Sequence, residues 1–313
     1  MCLIALFYTR GNICQPCLEI SDIITAMSFP ITEVSAAEFP ALFREIPQPP
    51  VSLNYRGILP PPDITLLSVV GSRKYTSYGK QVVDELIGGL KNYPVGIVSG
   101  LALGIDSLAH EAALKNNLYT LAIPGGGLSD EAIYPATHKN LAHRILAAGG
   151  GLLSEFAADF KATEWSFPQR NRLVAGISRA TLLIEAAEKS GTLITARMTV
   201  DYNRELLVVP GSIFSKTSVG VHQFLKLGAT PVTCAGDILD VLGITELCVG
   251  EASPRPPLNP SQEAVINLLH EPRHRDELIR LLNMNTAQAT QILMVMELNS
   301  MVAVHDNIYR SLI

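Results

Sequence analysis

Six short apolar runs, helical stretches between them and a change of rhythm near residue 260 predict an α/β protein. The expected architecture is a Rossmann-like, doubly wound, mostly parallel sheet followed by a small C-terminal winged-helix domain. The runs are LLSVV (66–70), VGIVS (95–99), TLAIP (120–124), GLLSE (151–155), TLLIE (181–185) and ELLVV (205–209). They are nearly continuous in Val, Ile and Leu, as strands covered on both faces of a parallel sheet must be. Stretches with helical period fall at 78–91, 106–117, 138–148 and 192–203, and this alternation of strand and helix is the signature of a doubly wound sheet.

Four regions follow along the chain. Residues 1–64 read as an irregular, proline-punctuated start ending in Pro60-Pro61-Pro62. Residues 65–244 form the α/β domain, and 245–260, with Pro254, Pro256, Pro257 and Pro260, read as a linker. In 261–313, helices are expected at 261–271, 274–283 and about 286–299, with Val265, Ile266, Leu269, Leu278, Ile279, Leu282, Ile292, Leu293, Met296 and Leu298 apolar. MVAV, the turn His305-Asp306-Asn307 and IYR then make a hairpin, completing three helices and a wing.

The 313 residues are 48% hydrophobic and 17% charged, enough apolar material for a sizeable core and against generic disorder. A formal charge of −5 excludes whole-surface attraction to nucleic acid and requires a local basic patch if DNA is the ligand. The five cysteines, Cys2, Cys14, Cys17, Cys234 and Cys248, form no disulfide framework and point to a reducing compartment. Cys14 and Cys17 have metal spacing, but no second pair or histidine cluster completes a site, so no metal and no cofactor are expected. The opening MCLIALFYTRGN is broken by Arg10, short of the roughly 20 residues that span a bilayer. A cytoplasmic protein without membrane contact is expected.

The polar residues gather where the strands end. Strand one runs into Gly71, Ser72, Arg73 and Lys74, where a glycine turn and a helix start suit an anion. Strand two ends in Ser99-Gly100, with Asp106 and Ser107 as caps of the next helix and His110 inside it as a packing residue. Strand three ends in Pro124-Gly125-Gly126-Gly127. The stretch Ser166–Arg172 places Phe167 before Arg170, Asn171 and Arg172 at a helix start, so guanidinium groups can hold phosphates while a base stacks on the ring. The competing account puts Phe167 in the core and makes the arginines ion-pair partners. Ser190, Gly191 and Thr192 form a further cradle, or a plain helix cap, and Pro210-Gly211-Ser212 follows the sixth strand. Ligands of such sheets sit outside the carboxyl ends of the strands, and a crest of this length suits an extended polyanion.

Together these pieces resemble the DprA/Smf family. VVGSRKYTSYG, VSGLALGIDSLAHEAAL, GGGL with IYPATHKNLA, GGLLSEF, FPQRNRLVAGIS, EAAEKSGTLITARMT and VVPGSI occur in the family's order over about residues 51–231. The resemblance implies a non-enzymatic protein of extended-Rossmann type. Such a protein binds and protects incoming single-stranded DNA, promotes RecA loading in natural transformation and works as a homodimer. It carries DNA contact onto Arg73, Phe167, Arg170 and Arg172, and more weakly onto Ser72 and Ser190–Thr192; Lys74, Gly100 and Asn171 complete the candidate set. Departures are Leu103, where the family usually has arginine, His138, and a largely missing N-terminal helical module.

An enzymatic alternative is a LOG-like phosphoribohydrolase, which the PGG turn resembles. Its compact PGG-x-GT motif is absent, since Pro124-Gly125-Gly126 and Gly191-Thr192 lie far apart. Neither G-x-G-x-x-G after the first strand nor a Walker A sequence is present. In the tail, TAQATQILMVMELN lacks Lys and Arg, so protein contact or packing is expected there rather than duplex reading.

Overall fold

The computed structural model describes residues 29–35, 41–244, 258–299, 301–305 and 307–311. Cys2, Cys14, Cys17, Cys248, most of the expected linker and Asp306 lie outside these residues. The chain divides into two compact units, Met1–Leu247 and Cys248–Ile313.

In the first unit the strands are β1 (Ile31–Ser35), β2 (Ser52–Gly57), β3 (Thr65–Val70), β4 (Val95–Ser99), β5 (Thr120–Ala122), β6 (Gly151–Ser154), β7 (Ala180–Leu183), β8 (Glu205–Val208) and β9 (Thr230–Pro231). The helices are α1 (Ala41–Arg44), α2 (Ser77–Gly89), α3 (Ile105–Lys115), α4 (Lys139–Ala147), α5 (Ser166–Ile177), α6 (Thr192–Asp201), α7 (Val219–Lys226) and α8 (Ala235–Leu242). Among the described residues one sheet, in the order β1-β2-β6-β5-β4-β3-β7-β8-β9, contains all nine of these strands. From β6 to β9 neighbouring strands are parallel, and β1 and β2 add antiparallel at the β6 edge. The order reverses beside β3, between β4 and β7, which is the switch point where such sheets leave a crevice.

The irregular start expected over residues 1–64 is corrected at β1 and β2. Val34 and Leu53 are buried there, and Arg56 Nη1 bonds the Asp130 carboxylate at 2.5 Å, so this segment is part of the sheet.

Alternate strand residues supply the two faces, as the pleat requires. Leu66 and Val70 of β3 join Phe43, Leu173, Val174, Ile177 and Phe224 in one core. Leu67 and Val69 join Val83, Leu86, Ile87, Ile105 and Leu239 in the other. Leu141, Ile145 and Leu146 of α4 close a third cluster over Ala122 and Leu152.

The second unit has α9 (Pro260–Leu268), β10 (Arg273–His274), α10 (Arg275–Leu281), α11 (Thr286–Leu298), β11 (Val302–His305) and β12 (Ile308–Ser311). Asn259 caps α9 through a capping box with Gln262. Val265, Leu269, Leu278, Leu282, Leu293, Met296, Val302 and Tyr309 fill its core, and a sheet β10-β12-β11 makes the wing. Among the described residues no helix is long and apolar enough to cross a membrane.

Candidate nucleic-acid interface

A cleft of about 680 Å³ opens at the carboxyl ends of β3, β4 and β7. Its walls include Ser72, Arg73 and Lys74 after β3, Gly100 after β4, Phe167, Arg170 and Asn171 of α5, and Ser190, Gly191 and Thr192 at the start of α6. Ten of the eleven candidate residues therefore meet at one place. Arg172 is not among its walls.

The turn after β3 is internally braced. Ser72 Oγ donates to Lys74 O at 2.7 Å and accepts from Lys74 N at 3.1 Å, leaving both cationic side chains exposed. Ser72 O accepts from Ile105 N, and a Cβ at Gly104, whose φ is 87°, would collide with the backbone of Ser72 and Arg73. The opening of α3 and this turn are thus in direct backbone contact, which only glycine permits. The Arg73 guanidinium lies 5.3 Å from the Phe167 ring centroid, a cation–π contact at the mouth of the cleft.

Arg170 forms the floor. It is 5% exposed, and its Nη1 donates to the carbonyls of Gly100 and Ile123 while its Nε donates to Asn171 Oδ1 at 3.1 Å. Burial pushes its pKa down to about 10, Arg73 adding to the effect and Asp106 opposing it. Asp106, buried behind Gly100, accepts from Gly100 N at 3.1 Å. Burial raises its pKa, and the Arg170 charge pulls the other way. A Cβ at Gly100 would strike both the Arg170 guanidinium and the Asp106 carboxylate, which explains a glycine there.

Two expectations change here. Arg170 is buried in the cleft floor, with Nη1 bonded to the Gly100 and Ile123 carbonyls and Nε to Asn171 Oδ1, so most of its donors serve the scaffold. Arg172 is likewise buried, bonding Gln48 O and the Glu155 carboxylate. The two residues are about 200° apart around a helix and cannot share a target. Asp106 is also no cap: Gly104 precedes α3 without a side-chain cap, and Ser107 Oγ donates to Gly104 O at 2.9 Å.

At the far wall, Ser190 Oγ accepts from Thr192 N at 3.3 Å and donates to Thr192 Oγ1 at 3.0 Å. Thr192 Oγ1 donates to Gly71 O at 2.9 Å, tying this loop to the end of β3. Gly191 is exposed and precedes α6 without a side-chain cap.

Behind the cleft, His110 is fully buried with Nδ1 2.7 Å from Thr120 Oγ1, and burial lowers its pKa to about 3. It is neutral and packed, as the sequence suggests. Residues that sequence reasoning missed are Glu185 and Tyr134. Glu185 is buried and accepts from Thr76 N at 3.0 Å, Thr76 Oγ1 at 2.6 Å and Thr217 Oγ1 at 3.1 Å, so it clamps the start of α2 to the loop before α7. Tyr134 stands with its ring 5.7 Å from that of Phe167. Its place in IYPATH, one residue before a proline in a loop facing the glycine turn, was the available signal.

The family model described as DNA recombination-mediator protein A matches residues 31–243, and that of the DprA winged helix domain matches 250–307. The chain is 37% identical over 215 residues to the DNA processing protein DprA of Bacillus subtilis, covering 67% of this chain and 70% of that one. It is 42% identical over 176 residues to protein Smf of Escherichia coli, covering 56% of this chain and 46% of that one, so the match spans about half of that relative's length. The solved DNA processing protein A of Streptococcus pneumoniae superposes with a TM-score of 0.63 at 37% identity, over 68% of this chain and 74% of that one. The DNA processing protein A of Helicobacter pylori, solved for its single-stranded DNA binding mode, superposes with a TM-score of 0.60 at 29% identity, over 68% and 96%. With the two family models matched in order over residues 31–243 and 250–307, the chain belongs to the DprA/Smf family of DNA recombination-mediator proteins.

Proposed function

We propose that this protein binds single-stranded DNA along the cleft at the strand ends and acts as a DNA-processing and recombination mediator in natural transformation. The carrying observation is the juxtaposition of two exposed cations, Arg73 and Lys74, with the Phe167 ring and the open start of α6 on one concave wall. Phosphates meet Arg73, Lys74 and the Gly191 amide, the amides of Ser190, Thr192, Leu193 and Ile194 being bonded within the loop, and bases meet the aromatic surface. Arg170, Asp106 and Asn171 hold the floor in shape instead of touching phosphate. The relatives are similar in sequence and the Helicobacter pylori protein binds single-stranded DNA, which supports the reading.

On this reading the protein works in the cytoplasm as a homodimer, protects the strand and hands it to RecA. It turns over no nucleotide. The acid in the cleft wall, Asp106, is engaged by Gly100 N, and Glu185 is engaged by three donors, so neither is presented as a free general base. A phosphoribohydrolase reading needs such a base.

Fluorescence anisotropy with single-stranded and duplex oligonucleotides at two salt concentrations tests the proposal. Single strands should bind more tightly, with affinity falling as salt rises because neutralised phosphates release counterions. Equal affinity for duplex, or no salt dependence, overturns it. RecA loading is read separately, as faster RecA filament formation on DNA coated by a single-strand-binding protein. Release of ribose 5-phosphate from nucleoside monophosphates restores the enzymatic alternative.

A further inference from the structure

The ring proposed to stack a base is already half occupied. Phe167 is only partly exposed, Arg73 lies over it, and one of its edges faces Gly125, where an added Cβ would meet ring carbons. The open aromatic surface lies next door. Tyr134 is 52% exposed, and Leu103 beside it is 50% exposed. With Ala102, Pro135, Arg73 and Phe167 these residues line a small notch, which shares Arg73, Gly100, Ala102 and Phe167 with the main cleft. No carboxylate occurs among the residues of that notch. An apolar, aromatic shelf next to a cation, continuous with a cleft for a polyanion, matches the chemistry of a nucleobase whose own phosphate reaches the cation.

We propose that Tyr134 and Leu103 form a second nucleobase-stacking site, which holds the base adjacent to the Arg73–Phe167 stack. The inference rests on the single-strand reading above. Its occupant is a base of the same strand. The phosphate on that base reaches Arg73, while the ring face of Tyr134 and the Leu103 methyl groups take the base. Affinity at this step depends on base surface and not on charge. It follows that a strand without bases loses the contact although its charge is unchanged.

The test compares oligo-dT with an abasic oligonucleotide of equal length on the full chain, for wild type, Tyr134→Ala, Tyr134→Phe and Leu103→Ala. Tyr134→Ala should weaken oligo-dT binding by roughly 5- to 150-fold, the range expected for one lost stack. Tyr134→Phe should bind like wild type. Leu103→Ala, which keeps the ring, should show a smaller loss in the same direction. None of the variants should change abasic binding, and the salt slope for oligo-dT should stay at its wild-type value, because no phosphate contact is removed. If Tyr134→Ala binds oligo-dT as wild type does, the shelf is wrong while the single-strand reading stands. Equal losses on oligo-dT and abasic strands also overturn it, since the contact is then not to a base. If wild type binds neither oligonucleotide, the single-strand reading itself fails and the shelf falls with it. Melting of each variant accompanies the titrations, and Leu103→Ala keeps the inference testable if Tyr134→Ala does not fold.

Discussion

Replacing Arg170 by alanine separates a scaffold cation from a phosphate clamp. The side chain is 5% exposed and donates to the carbonyls of Gly100 and Ile123 and to Asn171 Oδ1. Its charge is also the opposing influence on buried Asp106. Removing it leaves the buried Gly100 and Ile123 carbonyls without their charged donor, at about 1–3 kcal/mol each or about 2–6 kcal/mol together, and takes away the charge that offsets the burial of Asp106. For a domain of this size that is a fall in Tm of roughly 4–24 °C. The loss should depend on pH. Burial already raises the Asp106 pKa from 3.8, and without Arg170 it rises further. A carboxyl raised in the folded state contributes stability that is full below its unfolded pKa and lost as pH rises. The deficit of Arg170→Ala relative to wild type should therefore be small near pH 4 and larger at pH 7 and above. Differential scanning fluorimetry across that range reads both quantities. A Tm within about 2 °C of wild type at pH 7, with single-strand affinity reduced, refutes the scaffold assignment and restores Arg170 as a direct contact.

Four further outcomes are expected. Arg73→Ala, at an exposed side chain, should leave melting unchanged, weaken single-strand binding and lower the salt slope by about one phosphate contact; an unchanged slope argues against a phosphate role. Gly104→Ala, at φ 87° and facing the Ser72–Arg73 backbone, should cost at least about 1–3 kcal/mol and also weaken DNA binding, read by melting and anisotropy together. His110, held neutral with a pKa lowered from 6.5 to about 3, contributes stability above pH 6.5 that is lost as pH falls toward 3; His110→Asn should flatten that acid limb of the Tm profile. Removing residues 248–313 should leave most single-strand affinity intact, and a loss beyond about tenfold, or 1.4 kcal/mol, makes the tail a principal DNA site.

The sheet was legible because β3, β4, β7 and β8 are continuous apolar runs, a pattern that parallel strands buried on both faces impose. ITEVS and SLNYRG were not, because each carries few apolar residues and stands among prolines; β2 becomes a strand by pairing with β6, about a hundred residues away. The cleft was legible for the same reason as the sheet: strand ends in such a fold share one edge. What the residue types could not reveal was which guanidinium faces solvent. Arg73 sits on a turn and stays open, whereas Arg170 and Arg172 sit on a helix whose Leu173, Val174 and Ile177 are core residues. The helical angle of about 200° between 170 and 172 separates the two side chains, but both faces of the helix are covered, so their burial follows only from the packed fold. Tyr134 was passed over because its partner, Phe167, lies 33 positions away in sequence and meets it only through the fold.

The two ends of the sheet differ in a way that bears on self-association. β9, at one end, is two residues long, and one of them is Pro231, which has no amide proton to offer a neighbouring strand. At the other end β1 presents Glu33, exposed, in the middle of its five residues. A truncated, proline-bearing rim and a charged rim both discourage another backbone from extending the ladder. Neighbouring copies of this protein are therefore hindered from fusing edge to edge into a continuous ribbon through these rims. Any association between them has to be negotiated through side-chain surfaces, where sequence can limit its extent and keep it reversible.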